Sequence, residues 1–399
     1  MLDLAVQRLP VSPVRKISEM IEKASNKHRI ISFGGGAPSL APPKEVLDFL
    51  CSEFKRDAHA ASSYGSTKGM PRVRELITDT LKREERVSID PEKELCLTEG
   101  GTEGLFITFR TLLAPGDQII LSDPTYLAYY PQLSFLGDGV THLPVHLQDD
   151  FQIDVNMLNE AMTKRTKAVL ILSPDNPTGR LLDKKVLKAI VQICEDKKVW
   201  LITDDIYKDM LYEGKFHNAR EFSKCDNIIS CCSFSKSASM PGFRLGYVYG
   251  PASFIERVAA IKSYISLCPS RPAQLCVEKY LENRGRVKKK YLEKIVVPTY
   301  KKRRDAMAEM IERYLPKAEF AIPKGAFYFF PDMSRYLTRM DEEEFASKLM
   351  EQKQVVVIPG KYFGEQGEDH LRFTFVSEPK ERIEEGLSRM AKFIEENKL

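Results

Sequence analysis

The chain has 399 residues, 43% of them apolar, with 60 Lys and Arg against 56 Asp and Glu. A chain of this length, two to three domains at roughly 150 residues each, buries a large core without staples, and a net charge of only +4 excludes a nucleic-acid polycation and an acidic solvating tail. With 22 Gly and 23 Pro it is neither collagen-like nor low-complexity, and eight cysteines with no C-x-x-C exclude a disulfide scaffold. Buried, reduced thiols and a cytoplasmic setting are the expectation.

The N-terminal MLDLAVQRLP lacks a basic start followed by a long apolar run, so no signal peptide is expected. The longest apolar stretches, such as 168–172 and 355–358, fall far short of the ~20 residues that span a bilayer, so no membrane partner is expected either. Gly34-Gly35-Gly36 has neither the G-x-G-x-x-G spacing nor a following Lys-Ser/Thr, and does not predict a nucleotide site. From about residue 94 to 250, short β-rich apolar runs alternate with amphipathic stretches. The runs are 94–98, 118–122, 167–173, 199–203, 228–233 and 245–250. Between them, 105–113 and 184–198 carry apolar residues three and four apart, as helices do. Strand, helix, strand at this spacing predicts an α/β fold with a mostly parallel sheet covered on both faces. His142 and His146 have i, i+4 spacing, but Pro144 stands between them inside an apparent strand, with no acidic partner nearby, so no metal site is expected. Residues 281–316 read as charged helix broken at Pro298, and ten Lys/Arg between 284 and 304 read as solvated helix faces rather than a nucleic-acid surface. The remainder mixes strands and helices, as a smaller α+β domain would. The division expected is 1–45 as a segment joining the small domain, 46–280 as the large domain and 281–399 as the small one.

In an open α/β sheet, ligands bind beyond the carboxyl ends of the strands. After 94–98 comes Gly100-Gly101-Thr102 and then a helix, which reads either as a phosphate cradle or as a plain helix cap. After 167–173 comes a loop fixed by two prolines and a glycine, with Asn176 held between them. The next run ends in Asp204, with Tyr207 three residues on, and 228–233 ends in Ser233-Phe234-Ser235-Lys236, followed by Arg244. An anion site, an amide, a carboxylate with a phenol and a lysine flanked by hydroxyls are together what pyridoxal phosphate requires.

In this set, and in Gly36-Ala37-Pro38 and Tyr64-Gly65-Ser66-Thr67-Lys68-Gly69, the chain resembles the fold-type I pyridoxal-phosphate enzymes of aminotransferase class I/II, the aspartate-aminotransferase-like group. That resemblance implies a seven-stranded-type sheet flanked by helices and a smaller α+β domain. It implies Lys236 as the Schiff-base lysine and proton shuttle, Asp204 at the pyridine nitrogen, and Tyr207 and Asn176 at the phenolic oxygen. Gly101, Thr102, Ser233, Ser235 and Arg244 would hold the phosphate, and Tyr126 would stack on the ring. Arg372, with Gly36, would clamp the substrate α-carboxylate, and Tyr64 would reach the cofactor of a second copy in a homodimer with shared sites. The implied activity is ping-pong transfer of an amino group from an L-amino acid (aspartate, aromatic or broad range) to a 2-oxo acid, with 2-oxoglutarate the acceptor expected, in amino-acid metabolism. A C–S β-lyase or an aminocyclopropane-carboxylate-synthase-like enzyme of the same fold is the alternative. Thr102 stands where some aspartate-specific relatives have a lysine, which leaves Arg15 and Arg271 as the candidates to read a substrate side chain.

Overall fold

The computed structural model describes residues 29–136, 141–147, 151–223 and 225–399. Its strands are β1 (Ile31–Ser32), β2 (Leu95–Thr98), β3 (Gln118–Asp123), β4 (Thr141–His146), β5 (Thr166–Leu172), β6 (Trp200–Asp204), β7 (Ile228–Ser233), β8 (Gly246–Tyr249), β9 (Tyr328–Phe329), β10 (Val355–Val356), β11 (Ile358–Pro359) and β12 (Leu371–Thr374). Seven of them form one sheet in the order β2-β8-β7-β6-β5-β3-β4. The strands from β7 through β4 in that order are parallel, while β8 runs antiparallel to both of its neighbours. The six apolar runs all become strands of this sheet, and β3 and β7 are buried along their whole length. Helices on both faces explain why these strands are continuously apolar rather than alternating. Helix Lys184–Asp196, for instance, buries Leu187, Ile190, Val191 and Cys194 at helical spacing. Pro144 is tolerated because β4 is the edge of the sheet, where a missing N–H leaves no partner strand unpaired.

A three-stranded antiparallel sheet, β11-β12-β9, stands against the ends of the large sheet, and β1 pairs in parallel with β10, Ile31 opposite Val355. Helices Glu342–Lys353 and Lys380–Glu396 carry the apolar faces that cover this second layer. The two layers are tied together near Gly179, whose carbonyl accepts from the Lys324 and Gly325 amides at 3.0 and 3.1 Å.

Two expectations are corrected here. Pro298 does not break the helix: it follows directly on a π-helical turn, Leu292–Val296, and helix Val297–Tyr314 runs on from that wider turn without interruption. The interruption lies earlier, in helix Arg271–Tyr291, where Asn283, Arg284 and Gly285 have φ of 51°, 58° and 69°. The basic run is not solvated throughout either. Lys288 is buried and lies 2.7 Å from Glu84 and 3.0 Å from Asp209, and buried Arg304 lies 2.8 Å from Glu213. Of the cysteines, Cys96, Cys194, Cys231, Cys232 and Cys276 are buried, whereas Cys51 and Cys225 are exposed. Among the described residues, no helix is long and apolar enough to cross a membrane, and no His/Cys/Asp/Glu cluster could hold a metal.

Candidate active site

Because β5, β6 and β7 are parallel and in register, their carboxyl ends present Leu172, Asp204 and Cys231 side by side. Asp204 is buried and has no cation within ion-pair distance among the described residues. The Tyr129 hydroxyl donates to its Oδ2 at 2.8 Å and the Ile206 amide to its Oδ1 at 3.3 Å. Burial pushes its carboxyl up to about 6, against the hydrogen bond from Tyr129 and the charge of Lys236.

Lys236 lies on the short helix Phe234–Ser237 that follows β7, and its Nζ donates to the Gly36 carbonyl at 2.7 Å. Burial first, then the positive charges of Arg372 and Arg244, lower the amine to about 8. An amine with that value is about one-tenth neutral at pH 7, far more than an ordinary lysine, and the neutral form is the one that acts as nucleophile or base. The Ser233 Oγ accepts from the Ser235 amide at 3.1 Å and donates to the Ser235 Oγ at 2.9 Å.

Helix Gly100–Leu112 opens on the site, and no side chain caps its first turn. Its unsatisfied amides and positive dipole end favour an anion. Arg244, itself left-handed at φ 53°, lays its guanidinium across that turn. Gly100 has φ 76°, and a Cβ there would fall 2.6 Å from the Arg244 Nη2, so only glycine fits. Asn176 sits in a loop framed by buried Asp175, which accepts from the Thr178 hydroxyl at 2.5 Å and the Thr178 amide at 3.2 Å. From β12, Arg372 donates through Nη1 to Asn176 Oδ1 at 2.9 Å and through Nη2 to the Gly34 carbonyl at 2.6 Å, while its buried Nε has no partner among the described residues.

These groups surround a cavity of about 260 Å³. Gly36, Gly101, Thr102, Tyr126 and Asn176 line it, as do Asp204, Tyr207, Ser235, Lys236, Arg244 and Arg372. Two anticipated residues do not. Ser233 has its hydroxyl turned to Ser235, and Tyr64 is 84% exposed; the next residue, Gly65, stands near Arg271, where a Cβ would fall 3.6 Å from the Arg271 Nη1. Arg15 lies outside the described residues. Two others went unanticipated. Tyr129 holds Asp204, and its only sequence signal is the spacing of three from Tyr126 in DPTYLAYY. Tyr328 also lines the cavity, but it stands in the aromatic run 327–330, where composition does not say which ring faces the site.

A buried lysine of depressed basicity, a buried carboxylate with no cation within ion-pair distance among the described residues, and an uncapped helix turn beside an arginine fit pyridoxal phosphate at its aldehyde, its ring nitrogen and its phosphate. Fold and site together define a fold-type I pyridoxal-phosphate enzyme. Residues 28–390 match the aminotransferase class I and II family, and the chain belongs to it. It is 31% identical to the aspartate aminotransferase of Pyrococcus horikoshii, over 96% of this chain and 95% of that one. To aromatic-amino-acid aminotransferase 2 of Thermococcus litoralis it is 26% identical, over 98% of each chain. The solved aspartate aminotransferase from Thermus thermophilus with maleate superposes with a TM-score of 0.91 at 27% identity, covering 98% of this chain and 99% of that one. The chain is a pyridoxal-phosphate-dependent aminotransferase; nothing in these likenesses favours the lyase alternative.

Proposed function

We propose that the enzyme moves the α-amino group of an L-amino acid to a 2-oxo acid, 2-oxoglutarate being the acceptor, in two half-reactions at one site. When bound, pyridoxal phosphate supplies the aldehyde that takes the amine and the ring that draws electrons from the α-carbon. The chain supplies the rest. Lys236 anchors the cofactor and then, as the amine nearest the substrate, takes the α-proton and returns it. Asp204, negative and buried, holds a proton on the ring nitrogen. Tyr207 donates to the phenolic oxygen, and Asn176, whose carbonyl oxygen is taken by Arg372, offers its NH₂ to the same atom. The first-turn amides at Gly101 and Thr102, the hydroxyls of Thr102 and Ser235, and Arg244 receive the phosphate, while Ser233 acts behind them by donating to the Ser235 hydroxyl. Tyr126 covers the ring, and Arg372 with Gly36 takes the substrate carboxylate.

The observation that carries this reading is the convergence of Lys236, Asp204 and Arg372 on one cavity. Among the described residues, the three cations lining it, Lys236, Arg244 and Arg372, are all used by these roles. A second substrate carboxylate would need a further cation, and Arg271, near Gly65, and Arg15, which lies outside the described residues, are the candidates. Tyr64 reaches the phosphate of a second copy, so the working unit is a homodimer of chains divided into 1–45, 46–280 and 281–399, acting in amino-acid biosynthesis in the cytoplasm. Substitution tests the assignment. Lys236→Ala loses the visible cofactor band and nearly all turnover. Arg372→Ala keeps the band while its amino-acid affinity falls; unaltered affinity there would remove the carboxylate role.

A further inference from the structure

Tyr328 touches three parts of the site at once. It stands on β9 opposite Thr374 of β12, and Arg372 lies two residues before Thr374, so the phenol and the guanidinium share one face as diagonal neighbours. The Arg372 Cζ lies 4.3 Å from the centre of the Tyr328 ring. The Tyr328 and Tyr207 hydroxyls are 2.8 Å apart, with the rings crossed at 85°. On the remaining side is the Gly36 backbone: a Cβ at Gly36 would fall 2.0 Å from the Tyr328 hydroxyl. Tyr328 is only 2% exposed, so packing fixes all three relations.

We propose that Tyr328 is a positioning residue that holds the Tyr207 phenol and the Arg372 guanidinium in one rigid relation. The inference rests on the aminotransferase reading above and adds a member to its site. With Tyr328 donating to the Tyr207 oxygen, the Tyr207 hydrogen is left for an acceptor in the cavity, and the chain of two hydroxyls makes that hydrogen a stronger donor. The ring face beneath Arg372 keeps the guanidinium flat, with a cation–π contact taking the place of a third hydrogen bond. One side chain therefore couples the group that meets the cofactor's phenolic oxygen to the group that meets the substrate carboxylate.

The test uses the cofactor-loaded protein and two readouts other than turnover. One is the pH midpoint of its visible band. The other is the dissociation constant of 3-phenylpropanoate, an unreactive monocarboxylate, followed by its effect on that band. A weaker donor at the phenolic oxygen leaves the proton on the Lys236 nitrogen held to higher pH. Tyr328→Phe is therefore expected to raise the midpoint by about half a unit to one unit, the size of one neutral hydrogen bond. The ring is kept, so carboxylate affinity stays within about twofold. Tyr328→Leu is expected to raise the midpoint similarly and also to weaken the carboxylate about tenfold, since ring and hydroxyl are both gone. An unmoved midpoint in Tyr328→Phe overturns the proposal, as does a variant whose only change is a lower melting temperature. If Tyr328→Leu fails to fold, Tyr328→Phe still decides. A wild-type protein with no visible band on incubation with pyridoxal phosphate would defeat the aminotransferase reading and this inference with it, an outcome distinct from a normal band that Tyr328→Phe leaves unmoved.

Discussion

Among the described residues, Asp204 is a buried carboxylate with two hydrogen bonds and no cation within ion-pair distance, which is costly for the protein without its cofactor. Its carboxyl is raised from 3.8 to about 6, so the folded chain holds that proton more tightly than the unfolded one. The penalty is therefore fully present above about pH 6, shrinks as the pH falls, and is gone below the unfolded value. Asp204→Asn is expected to stabilise the cofactor-free protein by roughly 1–3 kcal/mol at pH 7, with no gain near pH 4, while it loses turnover. Melting temperatures across pH check both halves; a variant less stable than the parent at pH 7 contradicts the account. At this scale the sequence was readable wherever a polar residue ended an apolar run, because a parallel strand buried on both faces has few other reasons to end in Asp204 or in Ser233-Phe234-Ser235-Lys236. Tyr129 and Tyr328 were not readable, because an aromatic side chain serves a core as well as it serves a site. Only the hydroxyl's partner separates the two uses.

The elements that shape the site are a helix start and a loop. Helix Gly100–Leu112 exposes its first turn because Gly100 turns left-handed under the Arg244 guanidinium, and no side chain caps the amides. Gly100→Ala forces a Cβ to within 2.6 Å of Arg244 at φ 76°. It is expected to cost about 1–2 kcal/mol of stability from the backbone alone. Displacing Arg244 should also weaken pyridoxal phosphate binding, which equilibrium dialysis measures. Unchanged cofactor affinity would show that this turn does not hold the phosphate. The strand runs were legible almost to the residue, since a continuous apolar run bounded by Gly, Pro, Asp or Ser has few other readings. The helix break was not. A proline looks like a break in sequence, yet Pro298 falls where a helix tolerates it, and the real interruption at 282–285 carries only Gly285 and Asn283 as signals.

At the scale of the whole molecule, two layers meet around one cavity, with Asp204 and Lys236 from the large sheet facing Arg372 and Tyr328 from the small one. The pairing of β1 with β10 joins Ile31 and Ser32 to Val355 and Val356, more than 300 residues on. Tyr64 is the residue this cavity does not explain. An 84% exposed tyrosine, next in sequence to Gly65 that stands near Arg271, with Tyr264 93% exposed, is what a face covered by a second copy presents. If sites are shared in that way, mixing Lys236→Ala with an inactive Tyr64 variant and allowing subunits to exchange restores one intact site per mixed dimer. Random reassortment then gives about a quarter of wild-type activity. No recovery, with exchange demonstrated, would show that each chain works alone.

The central claim is that Lys236, Asp204 and Arg372 make one transaminating site, and its most direct test is an absorbance spectrum. Purified protein incubated with pyridoxal phosphate should show a visible band that single L-amino acids bleach and 2-oxoglutarate restores, with the most effective donor naming the substrate. A band that no amino acid bleaches, or the absence of any band beyond that of Lys236→Ala, would contradict it.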